Sequence, residues 1–213
     1  MSCETGRPRR TTAVGSKLNI HYFRAPKGRE IFREGGRANA IFHVENGCVR
    51  LDVDRSDGER DVVGFLFQGD SFCAGVERYW VSAHAVTDCL LSCTPLPRVY
   101  SDVAEEDDEH FTHSPSDRLA RDIVHRLSFI KHLPANARLA WFLGWLDRRR
   151  GIAASHVVEL PMTCRDIANF LGMAPETVSR SLAELEQQGK LRRLGNRMIE
   201  LGAAQNPEAR SGS

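Results

Sequence analysis

The sequence predicts an α+β chain, with strands in its first half and helices in its second. Two observations carry this. Residues 20–99 are short apolar runs broken by Gly, Pro, Asn and Asp at turn spacing. From Ser116 onward the apolar period lengthens from two to between three and four residues. The 213 residues suffice for one large domain or two small ones. An apolar content of 41% supports a packed core and excludes wholesale disorder.

The first run is Ile20–Phe23, ended by Pro26-Lys27-Gly28. Glu30–Phe32 follows, then Gly35-Gly36. Ala40–Val44 and Cys48–Val53 flank Asn46-Gly47, a combination that predicts a hairpin. Val49, Leu51 and Val53 alternate with Arg50, Asp52 and Asp54, which predicts one buried face and one wet face. Ser56-Asp57-Gly58 closes that strand. Asp61–Phe67, the turn Gln68-Gly69-Asp70, Trp80–Val86 and Cys89–Cys93 complete the set. So many short strands argue for an antiparallel sandwich or barrel. The acidic run Glu105–Glu109 fits a solvated loop or helix start, and nothing converges with His110 and His113 to make a metal site.

Asp117–Leu133 contains neither Gly nor Pro. Ala120, Ile123, Leu127 and Ile130 recur at three, four and three residues, a seam widened by Leu119 and Val124. A helix packed on its own domain and a helix paired with its copy both satisfy this spacing. Pro134 ends the helix. Asn136–Arg150 forms a second one, with Leu139, Phe142, Leu143 and Leu146 on one side and Arg148-Arg149-Arg150 before Gly151. Val157–Leu160 is a short strand.

Residues 161–202 are the most informative. Thr163 with Asp166 makes a start resembling a capping box. Ile167, Ala168 and Leu171 then face inward, and Gly172 stops the helix. Gly172-Met173-Ala174 turns into a second helix with Pro175 at its first position. Val178, Leu182 and Leu185 are its buried stripe, and Gly189 ends it. Two short helices joined by a glycine turn form a helix-turn-helix. Lys190–Leu194, Gly195-Asn196 and Arg197–Leu201 add a hairpin wing. Glu176, Ser179 and Arg180 share the exposed face at the start of the second helix. Such a helix end enters the major groove of DNA, where Arg pairs with guanine, a carboxylate accepts from cytosine and Ser bonds several bases.

Charge agrees with a polyanion partner at that end. Residues 1–136 carry 18 Lys+Arg and 20 Asp+Glu, whereas residues 137–213 carry 11 and 8. No apolar run nears the ~18 residues of a membrane span. The polar stretch Met1–Lys17, with Arg7, Arg9 and Arg10, has no apolar core of a secretory signal. We therefore expect a soluble cytoplasmic protein without a membrane partner. The six cysteines are expected as free thiols in that compartment. Cys89 and Cys93 fit the two ends of an apolar strand as well as they fit a metal site. No metal centre is expected.

A β-rich N-terminal part, a long helix and a C-terminal winged helix-turn-helix resemble the Crp/Fnr transcription regulators over nearly the whole chain after Lys17. The most specific element is Glu176-Thr177-Val178-Ser179-Arg180, preceded by Asp166-Ile167-Ala168-Asn169-Phe170-Leu171-Gly172. The Glu-x-x-Ser-Arg pattern resembles the Fnr and FixK branch. Gly69-Asp70-Ser71-Phe72, Ser82–Asp88 and Ala137–Leu143 look similar to FixK. The resemblance implies a double-stranded β-helix (jelly-roll) sensor-type domain over 17–115, a dimerisation helix over 116–134 and a winged helix-turn-helix over 135–203. Tails at 1–16 and 204–213 complete the organisation.

It further implies a homodimer acting on a double-stranded DNA operator of the TTGA-N6-TCAA kind. The chain would be an activator that contacts RNA polymerase at genes for low-oxygen respiration, denitrification or nitrogen fixation. Base contacts would come from Pro175, Glu176, Ser179 and Arg180. Phosphate contacts would come from Thr163, Arg165, Thr177 and Arg197, and the dimer interface from Ala120, Ile123, Leu127 and Ile130. Ala74 and Val81 stand where nucleotide-binding members have Glu and Arg, so cyclic AMP is not expected to bind. Cys93 matches a strand cysteine of the Fnr oxygen sensors, but Cys3 alone replaces their N-terminal group, so no iron–sulfur cluster is expected. Cys164 stands where a basic residue often touches phosphate and is the candidate redox-sensitive position. A haem- or nitric-oxide-responsive regulator of the same fold is the alternative, since a single His or Met can ligate haem. A cupin-like enzyme would need a His-x-His metal set that the sequence lacks, and no catalytic constellation is evident.

Overall fold

The structure is a computed structural model that describes residues 20–56, 58–73, 75, 77–95, 115–150, 156–195 and 197–202. Both tails, the acidic run with His110 and His113, Cys3, Ala74 and Gly151 lie outside them. The chain divides into two compact units between Val124 and His125. Among the described residues no helix is long and apolar enough to cross a membrane.

The first unit holds eight described strands: β1 His21–Ala25, β2 Glu30–Phe32, β3 Ala40–Asn46, β4 Cys48–Asp54, β5 Arg60–Phe67, β6 Ser71–Phe72, β7 Ser82–Ala85 and β8 Cys89–Pro95. They form two four-stranded antiparallel sheets, β1-β8-β3-β6 and β2-β7-β4-β5, a jelly roll. Phe42, Val44, Phe72 and Leu91 from one sheet meet Phe32, Val49, Leu51 and Ala83 from the other. Aromatic rings fill the interior. Phe32 stacks on Tyr79 at 3.9 Å between centroids, and Phe42 lies 5.3 Å from Phe32 and 5.5 Å from Phe72.

The expected Asn46-Gly47 hairpin is not formed. β3 and β4 lie in different sheets, so this link carries the chain across the roll. Gly47 has φ +102°, and a Cβ there would come within 2.7 Å of Cys89 Sγ and 2.8 Å of the Asp88 carbonyl. The glycine is required by the return crossing at Thr87-Asp88, whose Thr87 Oγ1 also accepts from Cys48 N at 2.9 Å. The turn chemistry was legible, but its partner strand was not.

The outer face of β4 is only partly wet: Asp54 is exposed and Arg50 half-buried, but Asp52 is buried. Asp52 has no exposed surface. Its Oδ2 accepts from Arg50 Nε at 2.7 Å and lies 3.3 Å from His84 Nδ1. Burial favours the neutral acid, but His84 and Arg50 outweigh it and hold the carboxyl below its ordinary value.

Helix α1 runs from Pro115 to Ile130. Its seam divides. Leu119 and Ile123 pack against the β-roll core, and Ile130 is buried in the second unit. Ala120 and Leu127 are exposed, as is Val124. Ile123 and Ile130 thus serve their own chain, because the inward face runs 119, 123, 126 and 130 and the outward stripe runs 120, 124 and 127.

In the second unit, α2 Ala135–Arg150 buries Leu139, Phe142, Leu143 and Leu146. Each such side chain contributes about 1.5–3 kcal/mol on burial. It is followed by β9 Val157–Glu159, α3 Cys164–Leu171, α4 Pro175–Gln187, β10 Leu191–Arg193 and β11 Met198–Leu201. The three strands pair antiparallel in the order β10-β11-β9, so the wing hairpin is extended by the strand after α2.

Candidate nucleic-acid interface

Helix α3 begins with a complete capping box. Asp166 N donates to Thr163 Oγ1 at 3.1 Å, and Thr163 N donates back to Asp166 Oδ2 at 3.0 Å. The Thr163 hydroxyl itself donates to the same carboxylate oxygen at 2.7 Å. Ile167, Ala168 and Leu171 are at most 1% exposed. Gly172 then adopts φ 62°, the left-handed turn that lets the chain reverse into α4. Ala174 supplies no side-chain cap to α4, and Pro175 occupies its first turn.

Val178, Leu182 and Leu185 bury one side of α4. Glu176, Ser179 and Arg180 are exposed on the other, and Pro175 and Thr177 are half-buried. Among the described residues, the side chains of Glu176, Ser179 and Arg180 make no hydrogen bond or ion pair. The same holds for Cys164 and Arg165, both exposed on the first turn of α3.

The wing arginines differ. Arg192 Nε donates to Glu200 Oε2 at 2.8 Å, and Arg193 lies 3.4 Å from Glu186 Oε2. Arg197 donates to the Pro161 carbonyl at 3.2 Å. Arg197 is exposed, and this one bond ties the wing to the segment entering α3.

Two further arginines escaped the sequence reading. Arg126, buried on α1, donates to the Phe170 carbonyl at 2.8 Å, with its guanidinium 3.9 Å from the Phe170 ring centroid. Burial pushes its pKa down to about 10, so it remains charged at neutral pH. Arg138 on α2 donates to the carbonyls of Leu133 at 2.8 Å and of Lys131, Leu171 and Gly172 at 3.2 Å. Asn136 Nδ2 donates to Glu184 Oε2 on α4 at 2.6 Å. Arg138 lies in the Ala137–Leu143 stretch, whose only signal is resemblance, and Arg126 lies on the inward face of an apolar seam, where no spacing rule singles out a cation.

Comparison with known proteins agrees with this geometry. Residues 137–204 match the family of the Crp-like helix-turn-helix domain, and residues 22–102 match the cyclic nucleotide-binding domain. The chain is similar to the nitrogen fixation regulation protein FixK of Azorhizobium caulinodans, with 36% identity over 78% of this chain and 68% of that protein. It is similar to the transcriptional activatory protein AadR of Rhodopseudomonas palustris, with 32% identity over 81% and 73%. The solved structure of FixK2 from Bradyrhizobium japonicum superposes with a TM-score of 0.70 at 28% identity, covering 85% of this chain and 92% of that one.

Proposed function

The chain belongs to the Crp/Fnr family of DNA-binding transcription regulators, and from that premise we propose that it is a homodimeric activator reading a TTGA-N6-TCAA-like inverted repeat. In this reading it contacts RNA polymerase at genes for low-oxygen respiration, denitrification or nitrogen fixation. The names of the FixK and AadR relatives support the activator role and the nitrogen-fixation setting. Its function is binding rather than catalysis.

The observation that carries this reading is the set Glu176, Ser179 and Arg180, exposed near the start of α4 and without a side-chain partner among the described residues, while Arg192 and Arg193 of the wing pair with carboxylates of their own domain. Arg180 reaches guanine O6 and N7, Glu176 accepts from cytosine N4, Ser179 bonds either base, and Pro175 meets a thymine methyl. Arg165 and Thr177 bond phosphates, with Arg197 at the wing; Thr163, expected on phosphate, gives both of its donors to Asp166 and caps α3 instead. Two copies of α4 reach successive major grooves about 34 Å apart only in a dimer. The exposed stripe Ala120, Val124 and Leu127 supports pairing through α1.

Neither cyclic AMP nor an iron–sulfur cluster takes part. The rings of Phe32, Phe42, Phe72 and Tyr79 and the fully buried Val81 occupy the roll interior, which supports independence from a nucleotide. The test is selection of binding sites from random DNA by the purified protein, combined with its absorption spectrum. Enrichment of TTGA and TCAA half-sites by a colourless protein is expected. Unrelated half-sites would overturn the operator, and a haem absorption band would overturn the effector-free reading.

A further inference from the structure

Three successive carbonyls end helix α3 and open the turn into α4. The carbonyls at a helix end lack intrahelical donors and carry the negative pole of the helix. Here guanidinium groups from two other helices take them: Arg126 bonds Phe170, and Arg138 bonds both Leu171 and Gly172. Arg138 simultaneously bonds Lys131 and Leu133, which follow α1. A planar guanidinium presents five fixed donors, so one side chain joins the end of α1 to the turn that aims α4. Asn136 adds a second tie, to Glu184 in the body of α4.

We propose that Arg138, supported by Arg126, is a positioning residue for DNA binding: it fixes α4 relative to the end of α1 and thereby sets the half-site spacing that the dimer accepts. It touches no base. Its effect passes through the Leu171 and Gly172 carbonyls. The inference rests on the reading that α4 enters the major groove of an inverted repeat.

The experiment compares wild type, Arg138→Ala, Arg138→Lys and Arg180→Ala on three duplexes. These carry TTGA-N6-TCAA and the same half-sites with the spacer one base pair shorter or longer. Loss of charged hydrogen bonds should weaken Arg138→Ala binding to the N6 duplex by about tenfold. Binding to the altered spacers should change by less than about twofold, so the preference for N6 falls about fivefold or more. Arg138→Lys keeps the charge and the stem but not the fork. It should fold and show the same loss of spacer preference to a smaller degree. Arg180→Ala should weaken all three duplexes together.

A folded Arg138→Lys variant with wild-type spacer preference would overturn the proposal, as would an Arg138→Ala loss equal on every duplex, which signals mere destabilisation. If wild type fails to prefer these duplexes, or Arg180→Ala binds them normally, the underlying reading of α4 fails and the positioning role falls with it.

Discussion

Asp52 Oδ2 accepts the Nε hydrogen of Arg50 at 2.7 Å, two residues apart on the outer face of β4. Because Asp52 is fully buried, its charge depends on Arg50 and on His84, 3.3 Å away. These partners lower its pKa from the ordinary 3.8. A folded value below the unfolded one means that the stabilisation is complete above 3.8 and is lost as pH falls through the folded value. Asp52→Asn should therefore cost about 1–3 kcal/mol at neutral pH, because it removes the charged acceptor of the Arg50 hydrogen bond. Urea unfolding measures the gap, which should shrink in strong acid. A gap unchanged by acid would show that packing, not charge, holds this site.

Base readout is tested at Arg180. Arg180→Ala should cost about 1–3 kcal/mol on the selected operator and relax the preference at one G·C pair of each half-site, with little change on random DNA. Arg165→Ala should instead weaken all sequences alike and lower the salt slope by about one. Equal losses on specific and random DNA for Arg180→Ala would reassign it to phosphate.

The features legible in the sequence were those set by local chemistry. Thr163 with Asp166, Gly172 and Pro175 announce the limits of α3 and α4, because caps and turns are decided by residues a few positions apart. The features that the sequence misplaces or leaves open share a cause. Asn46-Gly47 encodes a turn whichever sheet receives the next strand, and only the approach to Cys89 decides that. The alternation in β4 places Arg50, Asp52 and Asp54 toward water, and only the cover from Arg50 and His84 decides that Asp52 is buried while Asp54 stays exposed. The α1 seam merges two faces, because a spacing of three and four cannot say which face its own chain will claim. Arg138 and Arg126 bond backbone carbonyls, which have no residue type and leave no mark in a sequence pattern.

Assembly is tested on the outward stripe of α1. Val124 is 64% exposed and Leu127 50%, so an Asp at either position leaves the core of its own chain intact. Leu127→Asp should yield folded monomers that lose operator binding, as seen by analytical ultracentrifugation and gel shift. Ile123→Asp should also destabilise the β-roll, since Ile123 packs against that core. A tight dimer in Leu127→Asp would place the interface elsewhere.

Independence from nucleotide is tested by calorimetry. Cyclic AMP should give no binding heat, and operator affinity should be the same with and without it in air. Micromolar affinity would refute the effector-free reading.

Cys164 offers a test of oxidation. It is the exposed first residue of α3, between the cap Thr163 and the exposed Arg165. Cys48, Cys73 and Cys89 are buried and Cys93 is half-buried, and burial also pushes the Cys89 thiol up, away from the reactive thiolate. Peroxide should therefore reach Cys164 first among the described cysteines. Oxidation to a sulfinate or sulfonate, with peroxide reduced to water, adds one negative charge. In the proposed complex that charge faces a DNA phosphate, and repulsion at contact distance amounts to about 1 kcal/mol in water and more where water is excluded. Peroxide-treated wild type should thus bind its operator several-fold more weakly, while treated Cys164→Ser keeps its affinity. Equal loss in both would assign the sensitivity to another thiol, with Cys93 the next to substitute. No loss in either would leave Cys164 as a small residue that fits a helix start.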